Sequence, residues 1–167
     1  MASRPDGFTL GRSHCLDVTV QVERTFELAA TPERVWEFIA DPAKRAGAIS
    51  VVESYEVHDD DGRSTTWEIG LPVPVISGTV SVETEDRERD PPRYVKFVGR
   101  STALRVTGEH TLESVADGER TRLRNQFLVD GQLPGIERFF KRNLQRELDN
   151  LKTAIEDDLG IPVEDRT

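Results

Sequence analysis

Apolar side chains between residues 18 and 28 fall on alternate positions: Val18, Val20, Val22, Phe26 and Leu28 share one phase, with Thr19, Gln21, Glu23, Thr25 and Glu27 on the other. A period of two predicts a half-buried strand, in which Arg24 is the residue out of place. The period then changes. In AATPERVWEFIADP (residues 29–42), Val35, Phe38 and Ile39 form a helical stripe, Thr31 can cap it, Pro32 suits its first position and Asp41-Pro42 stops it. AKRAGAI (43–49) predicts a second short helix.

Strand periodicity returns for some eighty residues. Val51, Glu53, Tyr55 and Val57 alternate, DDDG (59–62) turns the chain, and Thr65, Trp67, Ile69 and Leu71 alternate back. LPVPVISG (71–78) carries two prolines that a central strand does not tolerate, so it predicts an edge or a loop. Val80 with Val82 marks a fourth strand, Asp90-Pro91-Pro92 a turn, and Val95 with Phe97 a fifth strand.

The sixth and seventh strands form a hairpin, GEHTLESVADGERTRLRNQFLVDG (108–131), around Asp117-Gly118. That dipeptide suits a type I′ turn, which needs positive φ at both central residues. Pairing outward sets Leu112 opposite Leu123, His110 opposite Asn125, Gly108 opposite Phe127 and Val106 opposite Val129 on one face. Glu113 with Arg122, Thr111 with Arg124 and Glu109 with Gln126 fall on the other. A slip of one residue would bury the arginines, so the register is well specified. On the apolar face the His110 and Asn125 rung is the exception.

The last element is a long helix from about Pro134 to Leu159, whose Ile136, Phe139, Phe140, Leu144, Leu148, Leu151, Ile155 and Leu159 step by three and four. Gly160 and Pro162 end it. Its first half carries Arg138, Lys141, Arg142 and Arg146 and its last turns Glu156, Asp157 and Asp158, opposite to what the helix dipole favours. Solvated surface charge accounts for this arrangement, and an anionic headgroup is the other reading. The apolar face of the sheet needs a cover, and this helix is the element long enough to supply it. The expected fold is therefore α+β: a curved seven-stranded antiparallel sheet wrapped around a long C-terminal helix, with one or two short helices after the first strand.

Composition adds bounds. A chain of 167 residues suits one domain, expected over 17–160, with a loose N-terminal tail at 1–16 and a short C-terminal tail at 161–167. Cys15 is the one cysteine, so no disulfide framework exists. No leader pattern is present, and no stretch approaches the roughly 20 apolar residues needed to span a bilayer, so the expectation is a soluble, cytoplasmic protein. Asp and Glu number 31 against 22 Lys and Arg, and the lysines are Lys44, Lys96, Lys141 and Lys152 alone. An acidic surface that prefers Arg is what a halophilic protein shows. It argues against nucleic acid as a partner.

This order of elements, with AATPERVWEFIAD (29–41), VVESYEV (51–57), DPPRYVKFVG (90–99) and the terminal helix, resembles the SRPBCC superfamily, the START and birch-pollen-allergen-like fold. Over about residues 18–160 it is most similar to the branch that holds the G-type component of carbon monoxide dehydrogenase and the polyketide cyclase/dehydrase-like proteins. The resemblance implies a helix-grip fold with an elongated apolar cavity between sheet and long helix that holds lipids, quinones, sterols or polyketides. Members of the carbon monoxide dehydrogenase branch often carry a C-terminal membrane anchor, which is not expected in a sequence ending at Thr167.

In such a fold, in-facing polar residues are where ligand chemistry resides. Phasing turns Arg24, Glu53, His110 and Asn125 inward, beside Trp67, Tyr55, Phe97 and Phe127; Gly108 leaves space next to Phe127, and Phe140 and Leu144 face them from the helix. His110 and Asn125 have two readings: jointly binding a carbonyl or hydroxyl of an apolar guest, or satisfying one another. For Arg24 and Glu53 a simple ion pair or a wet sheet end is favoured. LPVPVI (71–76) and LPGIERFF (133–140) either frame the mouth of a cavity or pack on each other.

No metal cluster, phosphate loop, GxSxG elbow or GxGxxG occurs, so no cofactor, metal or catalytic residue is assigned. The favoured reading is non-catalytic binding or transport of a hydrophobic small molecule, with a lipid, quinone or isoprenoid as the first guess by resemblance. A second is a polyketide cyclase or dehydratase with His110 as acid or base and Arg24 or Asn125 holding an enolate oxygen. A third is an accessory protein for a molybdenum hydroxylase complex of the carbon monoxide dehydrogenase kind, with peripheral membrane or enzyme-complex contact.

Overall fold

The computed structural model describes residues 19–74 and 76–161. Val18, Cys15, His14, Pro162 and the expected N-terminal tail lie outside the described residues. The alternating segment forms β1 (Thr19–Leu28), with Val20, Phe26 and Leu28 buried. Thr31 then starts α1 (Pro32–Ile39), its side chain accepting from the Arg34 amide, and Asp41 starts α2 (Pro42–Gly47) by accepting from the Ala43 and Lys44 amides. Both caps satisfy amides that the first helical turn leaves without intrahelical partners.

The remaining strands are β2 (Val52–Val57), β3 (Ser64–Ile69), β4 (Val80–Asp90), β5 (Tyr94–Arg100), β6 (Leu104–Val115) and β7 (Arg120–Gly131). With β1 they form one seven-stranded antiparallel sheet in the order β1-β7-β6-β5-β4-β3-β2. The β6–β7 register is the one the hydrophobic pattern specifies, with His110 opposite Asn125 and Leu112 opposite Leu123. Asp117 (φ 59°, ψ 29°) and Gly118 (φ 91°) hold the central positions of a type I′ turn, but Ala116 is also at positive φ (53°) and the strands pair only as far as Val115 and Arg120, so the loop has four residues rather than two. The Glu119 amide closes it on the Ala116 carbonyl at 3.2 Å.

The terminal helix α3 (Ile136–Leu159) lies across the concave face and packs on β1, β7 and α1. Gly160 ends it in the left-handed conformation (φ 68°), and buried Ile161 follows. Arg34 of α1 donates to the Leu159 carbonyl at 2.8 Å, and Lys44 of α2 pairs with Asp158 at 3.1 Å, tying the short helices to its end. Among the described residues no helix is long and apolar enough to cross a membrane.

The core divides along α3. Its second half (Leu148, Leu151, Ile155) packs with Phe26, Leu28, Phe38, Val95 and Leu123; its first half (Ile136, Phe140, Leu144) packs with Val20, Trp67, Ile69, Val82 and Val129. Leu71 and Val73 join the second group, and a Cβ on Gly135 would lie 3.6 Å from Val73. Among their described residues, the two apolar turns therefore pack on each other.

Candidate functional site

Two adjacent rungs of the concave face carry the site. One aligns Val95, His110, Asn125 and Arg24 across β5, β6, β7 and β1; the next aligns Asp86, Phe97, Gly108 and Phe127 across β4 to β7. Because Gly108 has no side chain, the Phe97 ring lies over it: a Cβ there would sit 2.3 Å from Phe97 Cε1. The room expected beside Phe127 is thus filled by Phe97. Its ring stacks on His110 at 6.0 Å and meets Phe127 edge-on at 5.8 Å.

Asn125 fixes the chemistry of His110. The Asn125 amide nitrogen donates to the Arg24 carbonyl at 3.1 Å, which turns Oδ1 toward His110 Nδ1 at 2.8 Å. Nδ1 must then carry the proton, and Nε2, which has no partner among the described residues, presents a lone pair. Burial, followed by the nearby Arg45 charge, pushes the imidazole down to about 4, against the opposing pull of Asn125 and Asp86. His110 is a neutral acceptor at ordinary pH.

Arg45 reaches the same place from α2. Its Nη2 donates to both carboxylate oxygens of Asp86, at 3.0 and 3.2 Å, and its guanidinium carbon stands 5.4 Å from the Phe97 ring centre. Arg89 Nε holds the other side of Asp86 at 2.9 Å, and the same guanidinium donates onward to the Asp61 and Gly62 carbonyls. Arg45 Nε and Nη1, together with Trp67 Nε1, are buried without a partner among the described residues. Orphaned buried donors are rare, because each costs about 1–3 kcal/mol when left unsatisfied.

These groups border a cavity of about 90 Å³ between the sheet and α3. Trp67, Ile69, Val82, Phe97, Val106, His110, Phe127 and Val129 form its sheet wall, Phe140, Leu144, Leu148 and Leu151 its helix wall, and Arg45, Ile49, Val51 and Val52 its third side. Glu147 of α3 also borders it. Its carboxylate accepts from the Ser50 amide at 2.8 Å and from the Ser50 hydroxyl, pinning the segment before β2 to the helix.

Of the residues expected at the site, His110, Trp67, Phe97, Phe127, Phe140 and Leu144 line the cavity, with Asn125 behind His110 and Gly108 beneath Phe97. Three are elsewhere. Tyr55 lies opposite Trp67, as its phase requires, but β2 is the sheet edge and the side chain is 44% exposed. Glu53 is exposed because a register shift between Val52 and Ser54 breaks the alternation there, leaving its carboxylate against Gly70. Arg24 runs out under α3 to Asp149, 2.7 Å away in a half-exposed ion pair, so the expected pairing with Glu53 does not form.

Arg45, Asp86 and Glu147 were not foreseen. The signal for Asp86 lies in β4, where Val80, Val82, Thr84 and Asp86 share a phase that carries an acid inward. Arg45 and Glu147 leave no comparable trace, since a six-residue helix and a charged helix position read as surface. Among the described residues no cluster of three or more His, Cys, Asp or Glu is placed to hold a metal ion.

Residues 19–156 match the family described as polyketide cyclase / dehydrase and lipid transport. No curated protein sequence matches the chain. Among solved structures, a conserved protein from Geobacillus kaustophilus is similar with a TM-score of 0.71 at 17% identity, covering 84% of this chain and 95% of that one. A START superfamily protein from Mycobacterium smegmatis gives 0.65 at 14% identity, over 83% and 95% of the two chains. The Zhui aromatase/cyclase from a Streptomyces species gives 0.64 at 18% identity, also over 83% and 95%.

Proposed function

This chain belongs to the polyketide cyclase / dehydrase and lipid transport family, and we propose that within it the protein binds and carries a hydrophobic small molecule without transforming it. A lipid, quinone or isoprenoid is the class that fits. The observation that carries this reading is the cavity between sheet and α3, whose exposed walls are almost wholly aliphatic and aromatic, with Arg45, His110 and Glu147 among the lining side chains. That mixture of apolar wall and sparse polar anchors is how small-molecule sites orient a guest.

The test is mass spectrometry of an organic extract of protein purified from its native host in high salt, compared with a folded Leu144→Trp variant that fills the cavity. A lipid-like molecule enriched on the wild type and absent from the variant supports the reading. Identical extracts, with no binding of added quinone or isoprenoid by the wild type, overturn it.

His110 favours a second reading. A neutral imidazole with a free Nε2 lone pair, in a cavity that also holds a guanidinium, is what a cyclase-type enzyme needs for proton transfer beside a developing oxyanion. The aromatase/cyclase among the similar structures is consistent with it. His110→Ala separates the two: a carrier retains its guest with modest loss, whereas an enzyme loses turnover.

A further inference from the structure

The polar atoms left open around Phe97 form a defined set. Arg45 and Trp67 present N–H groups without acceptors among the described residues. His110, with Nδ1 committed to Asn125, presents a lone pair without a donor among them. All three side chains pack about the same ring, at 5.4 Å for Arg45, 6.5 Å for Trp67 and 6.0 Å for His110, and all line the cavity.

A guest that completes this set must both accept and donate hydrogen bonds. A hydrocarbon does neither. A ketone, quinone or ether accepts but leaves Nε2 empty. A carboxylate likewise brings no proton for Nε2, and the carboxylate-bearing side chain of Glu147 already borders the cavity. A hydroxyl offers one O–H and two lone pairs, matching one acceptor and the orphaned donors.

We propose that the cavity selects a hydrophobic molecule through a hydroxyl on an unsaturated or aromatic carbon, a phenol or enol, whose oxygen accepts from Arg45 or Trp67 and whose proton is held by His110 Nε2. Among quinone-type guests this selects the reduced, hydroxyl-bearing form over the quinone. The inference rests on the cavity being a binding site, as argued above. It adds which end group is read and by which atoms.

A probe series on the wild-type protein separates the two claims: 2-naphthol, 2-methoxynaphthalene, naphthalene and 2-naphthoate, followed by calorimetric titration at pH 7. The expected order places 2-naphthol at least tenfold tighter than both the methyl ether and the hydrocarbon, with naphthoate weakest. Equal binding of naphthol and naphthalene overturns the hydroxyl selection while leaving the apolar-carrier reading intact. Equal binding of naphthol and its methyl ether overturns the role of His110, and tightest binding of naphthoate replaces hydroxyl selection by anion selection. If no probe binds, the carrier reading falls as well.

Two variants locate the effect. His110→Phe removes the advantage of naphthol over its ether, read as the ratio of the two affinities within the variant. Arg45→Met, assayed only if its unfolding transition shows a folded chain, lowers naphthol and ether affinity together. Retention of the full naphthol preference in folded His110→Phe overturns the assignment, and because the wild-type series stands alone, loss of folding in Arg45→Met does not shelter it.

Discussion

At the scale of single residues, His110 makes stability depend on pH in a defined direction. An exposed histidine titrates near ~6.5, whereas buried His110 is held at about 4. Between those values the unfolded chain binds a proton that the folded chain refuses, so stability rises with pH across the window and falls as acid is added. Above it both states are neutral and the contribution is flat; below the folded value both are protonated and the loss stops. The full span is worth about 3 kcal/mol, at about 1.36 kcal/mol for each pH unit between the two values. Denaturant unfolding of wild type and His110→Gln, repeated from pH 7 down to pH 4, should show the wild type losing this much more than the variant. Parallel curves would mean that His110 takes up a proton inside the fold as readily as in the unfolded chain, and the account of a burial-excluded proton would fail.

At the scale of elements, the segment between α2 and β2 forms a wall of the cavity held by one residue of α3. Glu147→Ala removes the acceptor of the exposed Ser50 amide, which water replaces at a net cost of about 0.5–1.5 kcal/mol, and it frees the segment from the helix. Amide hydrogen exchange at Ser50 and its neighbours should accelerate well beyond any global change, while the β6–β7 amides change only with global stability. Uniform acceleration across the chain would show that Glu147 supports the core rather than this wall. The same comparison of elements explains what could be read in advance. The β6–β7 hairpin was legible in register and turn because alternation over 24 residues and Asp117-Gly118 agree. His110 and Asn125 could be paired for that reason alone. Arg24 sits in the predicted phase, yet its long side chain escapes to Asp149, and phase does not determine where a flexible side chain ends. Glu53 was misplaced by a bulge, and Tyr55 by lying on an edge that α3 does not cover. Arg45 was invisible because its role depends on Asp86, forty-one positions away, and on how α2 folds under the sheet.

At the scale of the whole molecule, the sheet and α3 could have closed on a solid core. They close instead on an apolar cavity whose few polar groups, Arg45, Trp67 and His110, keep atoms without partners among the described residues while their neighbours are satisfied. Keeping two guanidiniums and one carboxylate in the buried Arg45–Asp86–Arg89 cluster is costly unless geometry and hydrogen bonding are good, and here Arg89 is satisfied while Arg45 is not. That asymmetry makes sense if Arg45 is completed by a guest. The family to which the chain belongs is described as polyketide cyclase / dehydrase and lipid transport. The surface is a separate matter. A net charge of −9, with Arg138, Lys141, Arg142 and Arg146 on α3, bears on solubility.

The most direct measurement of the central claim, that this cavity is the binding site, is a methyl-resolved NMR titration with 2-naphthol. Shifts should concentrate on Val82, Val106, Val129, Leu144, Leu148 and Leu151, which line the cavity, and leave Val57 and Leu128 on the exposed surface unmoved. Saturable shifts at Val57 or Leu128 with the cavity methyls unchanged would contradict it and place binding on the outside of the sheet.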